Sequence, residues 1–157
     1  MFFKKKNEEI YSPSAGTVIE LEKVEDPVFS QKIMGDGFSV KPSSSEVFSP
    51  VEGVISNIFP TKHAIGVKTK NGLEILIHIG INTVELNGEG FNIFAKEGNS
   101  VTPQTKLVEI DPEILKKNGY SSDIMVIITN MDKVNKFIFQ KKGVVNCGET
   151  IGTVSIK

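Results

Sequence analysis

Residues Thr61 to Gly90 read T-K-H-A-I-G-V-K-T-K-N-G-L-E-I-L-I-H-I-G-I-N-T-V-E-L-N-G-E-G. The stretch holds both histidines of the chain, His63 and His78, in strand-like runs on either side of Asn71-Gly72. An Asn-Gly pair between such runs predicts a hairpin, because a type I′ turn needs positive φ at both central residues. A two-residue turn sets Lys70 against Leu73, Val67 against Leu76, Ile65 against His78 and His63 against Gly80. Directly paired residues share a face, and so do residues two apart on one strand. His63 and His78 then become diagonal neighbours at a Cα spacing of about 7–8 Å, with Gly80 leaving open space beside them.

Two neighbouring imidazoles suit chemistry near neutral pH, where histidine serves as nucleophile, acid or metal ligand. One ring could accept a phosphoryl group while the other donates a hydrogen bond to the phosphate oxygens. Two half-buried rings satisfied by backbone carbonyls would fit the same spacing. The spacing alone leaves both readings open.

Around this hairpin the chain reads as short strands punctuated by glycine and proline. Ser12-Pro13-Ser14-Ala15-Gly16-Thr17-Val18 is echoed by Ser49-Pro50-Val51-Glu52-Gly53-Val54-Ile55. A second echo links residues 97–110 with residues 142–154, E-G-N-S-V…L-V-E-I against K-G-V-V…I-G-T-V. Repeats of this kind predict an all-β fold, an antiparallel sandwich or flattened barrel of duplicated hairpin units. The apolar, β-branched run Ile124–Thr129 predicts a core strand. Helical signal is confined to short turns. Asp111-Pro112 through Asn118-Gly119 has a capping aspartate, a first-turn proline and a terminal glycine. Asp26–Ile33 and Asn130–Asn135 read as similar turns. Residues 1–10 are expected to form a flexible charged leader, and residues 11–157 a single domain.

Composition narrows the function. The 157 residues carry a formal net charge of −1, with no polybasic footprint for nucleic acid or a membrane surface. All 18 basic residues are lysine, so no guanidinium fork is available to clamp phosphate. Cys147 is the single cysteine, which excludes an internal disulfide and fits a reducing compartment; V-V-N-C-G-E around it reads as a strand end with a small core residue. No run approaches a membrane span, so a cytoplasmic chain without membrane insertion is expected.

The segments H-A-I-G-V and G-L-E-I-L-I-H-I-G-I-N-T-V-E-L-N-G-E-G-F closely resemble the active-site region of a known family, the glucose-type enzyme IIA of the bacterial phosphoenolpyruvate-dependent sugar phosphotransferase system. The resemblance extends to G-D-G-F-S-V-K-P at Gly35–Pro42, S-P-V-E-G at Ser49–Gly53 and I-T-N-M-D at Ile128–Asp132. It runs in order over nearly the whole chain and keeps the histidines fifteen residues apart.

This resemblance implies a phosphocarrier that takes a phosphoryl group from the phosphorylated carrier protein HPr. It would pass the group to the IIB domain of a glucose-type permease. By the same resemblance His78 is the nucleophile, His63 donates to the phosphate, and Thr61 fixes a ring tautomer. Asp26 falls where the family meets cationic donor residues, and it also suits a helix cap ahead of Pro27. Phe29, Ile33, Met34, Phe59 and Leu76 fall on the family's apolar docking rim. Asn82 stands where the family pattern usually has aspartate, keeping hydrogen-bonding capacity without the charge.

His63 and His78 can hold zinc, but a stable site needs about four ligands and the chain offers no third histidine. The resemblance implies a partner's carboxylate as the further ligand, so zinc is an optional cofactor. The leader is shorter than in relatives with a membrane-associating segment, so no anchoring is expected.

Three other readings compete. A non-catalytic docking module would use the same apolar face to regulate enzymes or permeases. A lipoyl- or biotinyl-type carrier needs a lysine in an M-K-M-like hairpin tip, and Lys70 lacks the methionines. A zinc peptidase would need a further H-x-H ligand. The phosphocarrier reading accounts for the most residues.

Overall fold

Glu74–Ile79 and Ile124–Ile128 lack the usual polar–apolar alternation because both faces of the sheet that contains them are covered. In the computed structural model, which describes residues 6–157, the first strands are β1 (Lys6–Tyr11) and β2 (Gly16–Glu20). A connector follows, carrying α1 (Pro27–Ser30), and leads into β3 (Asp36–Pro42), β4 (Glu46–Phe48) and β5 (Gly53–Ile58). Next come β6 (Ala64–Lys68), β7 (Glu74–Ile79), β8 (Phe91–Ile93), β9 (Ser100–Val101) and β10 (Lys106–Ile110). The chain ends with α2 (Pro112–Lys117), β11 (Ile124–Ile128), β12 (Val134–Phe139), β13 (Gly143–Val145) and β14 (Thr150–Ile156).

All pairings are antiparallel. The strands form an eight-stranded sheet, β13-β2-β3-β11-β7-β6-β5-β9, and two three-stranded sheets, β1-β14-β12 and β4-β10-β8. None of them closes into a barrel. The architecture is the expected all-β sandwich with two short helices. Asp26 and Asp111 cap those helices through Val28 N–H and Glu113 N–H, as their sequences predict.

The sequence echoes correspond to a pseudo-twofold arrangement. Tyr11 N–H donates to the Pro50 carbonyl and Phe48 N–H to the Pro13 carbonyl, both at 2.8 Å, an exchange related by an offset of 37 residues. Each repeat also folds its serine in the same way. The buried Ser12 hydroxyl donates to the Ser14 carbonyl at 2.7 Å, and Ser49 to Val51 at 2.6 Å. The order of the eight-stranded sheet is palindromic under this relation, with β11 and β7 meeting at its centre.

The two faces of this sheet differ. Ile75, Ile77 and Ile79 of β7, with Ile124, Val126 and Ile128 of β11, point into the main core shared by all three sheets. Burying each such side chain contributes about 1.5–3 kcal/mol. Leu76, Met125, Ile127 and Ala64 point to the other face. There Leu21, Val24 and Phe29 of the β2–β3 connector cover them and make a smaller second core.

Three expectations are corrected here. The leader does not extend to residue 10: Lys6–Tyr11 is strand β1, paired with β14 along its length, while residues 1–5 lie outside the described residues. Cys147 is exposed rather than core, because Asn146–Glu149 is a turn closed by Glu149 N–H to the Asn146 carbonyl.

The β6–β7 loop is not a two-residue type I′ turn. It has three residues, Lys70–Gly72, with Thr69 N–H donating to the Leu73 carbonyl at 2.9 Å and Gly72 N–H to the Thr69 carbonyl at 3.0 Å. Gly72 takes positive φ, and Asn71 does not. Tertiary bonds favour this wider loop: the Asn71 amide donates to Glu8, and Asn130 donates to the Gly72 carbonyl. The register therefore shifts by one, setting Ala64 rather than Ile65 against His78.

Replacing Ser12 or Ser49 by alanine leaves one buried carbonyl without its hydroxyl donor in each repeat. Each variant is expected to lose about 1–3 kcal/mol in urea unfolding, with similar losses for the two.

Candidate functional site

His78 occupies the outer face of β7, between Ala64 on β6 and Met125 on β11. Alanine beside it leaves room for the ring, and Phe29 packs edge-on at a centroid distance of 4.9 Å. The strand ends at Gly80, whose φ of 78° belongs to the left-handed region that glycine tolerates. A Cβ at Gly80 would strike Thr83 and the Ser121 carbonyl. This turn brings the Gly80 carbonyl back to within 2.9 Å of His78 Nδ1. A carbonyl only accepts, so Nδ1 carries the proton and the lone pair stands on Nε2. Burial, reinforced by His63 nearby, lowers the His78 pKa to about 4, against the opposing pull of the Gly80 carbonyl and Asp26. Near neutral pH the ring is an uncharged base with a free Nε2.

His63 precedes β6 and is 5% exposed. Its ring centroid lies 4.9 Å from that of His78, at an interplanar angle of 78°. Thr61 Oγ1 sits 2.7 Å from His63 Nδ1. When this hydroxyl donates, His63 carries its hydrogen on Nε2 and can offer it to a phosphate oxygen. Burial lowers the pKa of this ring too.

The expected proximity therefore holds although the expected pairing does not. His63 lies opposite Ile79, whose N–H donates to the His63 carbonyl at 2.7 Å, and not opposite Gly80. Lys62, immediately ahead of His63, is left-handed at φ 63°. Lys32, Asn82 and Asn87 are the other non-glycine residues of positive φ among the described residues. Such a conformation costs an ordinary side chain about 1–2 kcal/mol.

The two rings open into a depression of about 260 Å³. Of the sequence-predicted residues, Asp26, Phe29, Met34, Phe59, Leu76 and Asn82 line it with the histidines, and Ile33 does not. Phe29 and Leu76, 4% and 9% exposed, form floor rather than rim. Phe59 is more open and lies edge-on to His63 at 5.6 Å. Ile33 is 67% exposed further out on the connector. Asp26 both caps α1 and lines the depression. Sequence reasoning missed Val28 and Val84, two exposed valines that complete the lining. Val28 was legible as the exposed residue after a capped Asp-Pro; Val84 follows Asn82 in a single helical turn without periodicity to mark it.

No lysine lines the depression. Among the described residues, no third histidine, cysteine, aspartate or glutamate joins the two histidines in a group able to hold a metal. The pair supplies two donors of the usual four.

Residues 8–134 match the family described as phosphoenolpyruvate-dependent sugar phosphotransferase system, EIIA 1. The chain belongs to this family. This EIIA chain is 43% identical over 145 residues to the PTS system glucose-specific EIIA component of Staphylococcus epidermidis, covering 92% of this chain and 87% of that protein. The Halalkalibacterium halodurans protein of the same name is 45% identical over 148 residues, covering 94% and 85%. The glucose-specific EIICBA component of Streptococcus pneumoniae is 45% identical over 141 residues, which are 90% of this chain and 19% of that longer protein. The solved glucose permease IIA of Mycoplasma capricolum superposes with a TM-score of 0.83 at 37% identity, covering 98% and 99%. As an EIIA protein the chain is a phosphocarrier component of the sugar phosphotransferase system, whose family role lies between HPr and a IIB domain.

The depressed His78 pKa links folding to pH. The folded ring resists the proton that the unfolded ring binds below its ordinary value of 6.5. The unfolded state therefore binds more protons between about 6.5 and 4, and stability falls as pH drops through that window. Carbon-detected NMR should show His78 titrating near 4, and the His78→Phe variant should lose less stability over the same window.

Proposed function

We propose that His78 is the phosphoacceptor. The observation that carries this reading is the Gly80 carbonyl on Nδ1, which leaves the Nε2 lone pair to attack. The Nε2–P bond forms as the P–N bond of a phosphohistidine on the donor breaks. The donor ring keeps the electron pair of the broken bond. His63, oriented by Thr61, donates Nε2–H to the oxygens on which charge spreads in the loose transition state. Phosphoryl transfer asks a protein mainly for positioning, and two rings fixed edge-to-face in a small apolar depression supply it.

The exposed side chains of Val28, Phe59 and Val84 form the docking rim for HPr and then for the IIB domain of a glucose-type permease. Apolar contact there excludes water from the transferring group. Asp26 offers the depression one carboxylate for a cationic partner residue, and Asn82 offers a neutral amide. Zinc is not required; His63 and His78 would hold it with a partner's carboxylate completing the set. We place the chain in the cytoplasm, where these partners are found; none of its described helices is long and apolar enough to cross a membrane. The same rim would serve a regulatory docking role, with phosphate at His78 adding charge to an apolar face.

The test is phosphoryl transfer from phosphoenolpyruvate through the general carriers to this chain. Wild type should acquire an acid-labile, alkali-stable phosphate that His78→Ala lacks. His63→Gln should accept phosphate and pass it on about 100-fold more slowly, the usual scale for a lost transition-state donor. A wild-type chain that takes no phosphate from competent carriers leaves the docking role as the better account.

A further inference from the structure

Strand alternation alone sends the His63 ring to the wrong face. Ala64 pairs directly with His78, and both occupy the outer face. One residue earlier the side chain should point into the main core, where Ile79, opposite His63, already lies. The His63 ring is nevertheless on the outer side, 4.9 Å from His78. The break in alternation follows directly after Lys62.

The β5–β6 connection is closed by Phe59 N–H to the Ala64 carbonyl at 3.0 Å, and by Lys62 N–H to the Phe59 carbonyl at 2.8 Å. Lys62 then takes φ 63°, a place that glycine or asparagine fills without strain. The other left-handed lysine, Lys32, has its side chain engaged by Glu22 at 2.8 Å and Asp36 at 3.4 Å. Lys62 makes no ion pair among the described residues; a Cβ built on Gly88 would lie 3.4 Å from its Cδ. What distinguishes Lys62 is the backbone it imposes on the residue that follows.

We infer that Lys62 is a positioning residue for phosphoryl transfer: its left-handed backbone turns His63 out of strand alternation and sets the ring beside His78. Resting on the phosphocarrier reading, this assigns to a residue outside the lining of the depression the task of assembling the pair. The backbone, rather than the ammonium, performs it. Residues that accept left-handed φ should therefore substitute freely, and a β-branched residue, for which that region is a steric outlier, should not.

The experiment compares wild type with Lys62→Asn, Lys62→Gly and Lys62→Val by two readouts. The first is the NMR cross-relaxation between the ring protons of His63 and His78, which needs no phosphate. The second is the rate of transfer from the phosphorylated chain to a IIB domain. Lys62→Asn and Lys62→Gly should keep the ring contact and transfer within about threefold of wild type. Lys62→Val should lose the contact and transfer about 100-fold more slowly, the scale expected for a displacement of an ångström. Loss of contact or rate in Lys62→Gly and Lys62→Asn overturns the inference in favour of the ammonium. An unchanged Lys62→Val overturns it outright. Should Lys62→Val unfold, as circular dichroism would reveal, the asparagine and glycine variants still decide. Were even wild type to accept no phosphate, the ring contact alone would decide the positioning role.

Discussion

The hydrogen bond from His78 Nδ1 to the Gly80 carbonyl, 2.9 Å long, is the interaction on which the site depends. It selects the tautomer, points Nε2 outward and fixes the ring plane against which Phe29 and His63 pack. Its geometry is built from the backbone. Gly80 must be left-handed and must lack a Cβ, because Thr83 and Ser121 occupy the space beside it. Gly80 N–H donates to the Asp123 carbonyl at 2.6 Å, tying the turn to the segment that enters β11. The pairing of β7 with β11, buried on both faces, holds the whole arrangement rigid. As the phosphoacceptor we propose, His78 would need no general base, since its Nε2 carries no proton near neutral pH.

The electrostatics of the site suit a group that must move on. Both rings have their pKa values lowered by burial, and the depression contains a carboxylate but no lysine. The chain has no arginine to supply a bidentate clamp. In the transfer we propose, hydrogen-bond donation from His63 would stabilise charge while it spreads, without binding the phosphorylated ground state as strongly as a cation would. A carrier gains from that difference, because tight ground-state binding would slow the second transfer.

Much of this was legible in the sequence, and the failures have physical causes. The serine repeats and the aspartate caps are local devices that fold as their residues dictate. The β6–β7 turn is not local. Glu8 and Asn130 reach Asn71 and Gly72 from β1 and from the end of β11, and they favour a three-residue loop over the one that Asn-Gly prefers alone. That single residue should have separated the histidines by face, yet their rings meet, directly after the left-handed Lys62. Two displacements cancelled, so the correct neighbourhood came from an incorrect register. The valines of the rim carried no pattern, since exposure of an apolar side chain in a short turn leaves no periodic trace. Strand β1 was hidden because its residues are mostly polar, and its pairing depends on β14 at the far end of the chain.

The pseudo-twofold arrangement raises the question of why one half of it carries the site. Under the palindromic strand order β2–β3 corresponds to β5–β6, and β11 to β7. Two differences break the equivalence. At the centre, His78 on β7 corresponds to Ile127 on β11, so this histidine has an apolar counterpart on the same outer face. At the connectors, the β5–β6 link is short and left-handed at Lys62, and it delivers His63. The β2–β3 link is longer and crosses the outer face, contributing Asp26, Phe29 and Met34. The longer connector is thus wall and lid to the depression that the shorter one furnishes with chemistry. Symmetry supplies a rigid two-faced sheet; the unequal connectors convert one patch of its outer face into a site. A sheet covered equally in both halves would have buried His78 completely, and one covered in neither would have left it in water with an ordinary pKa.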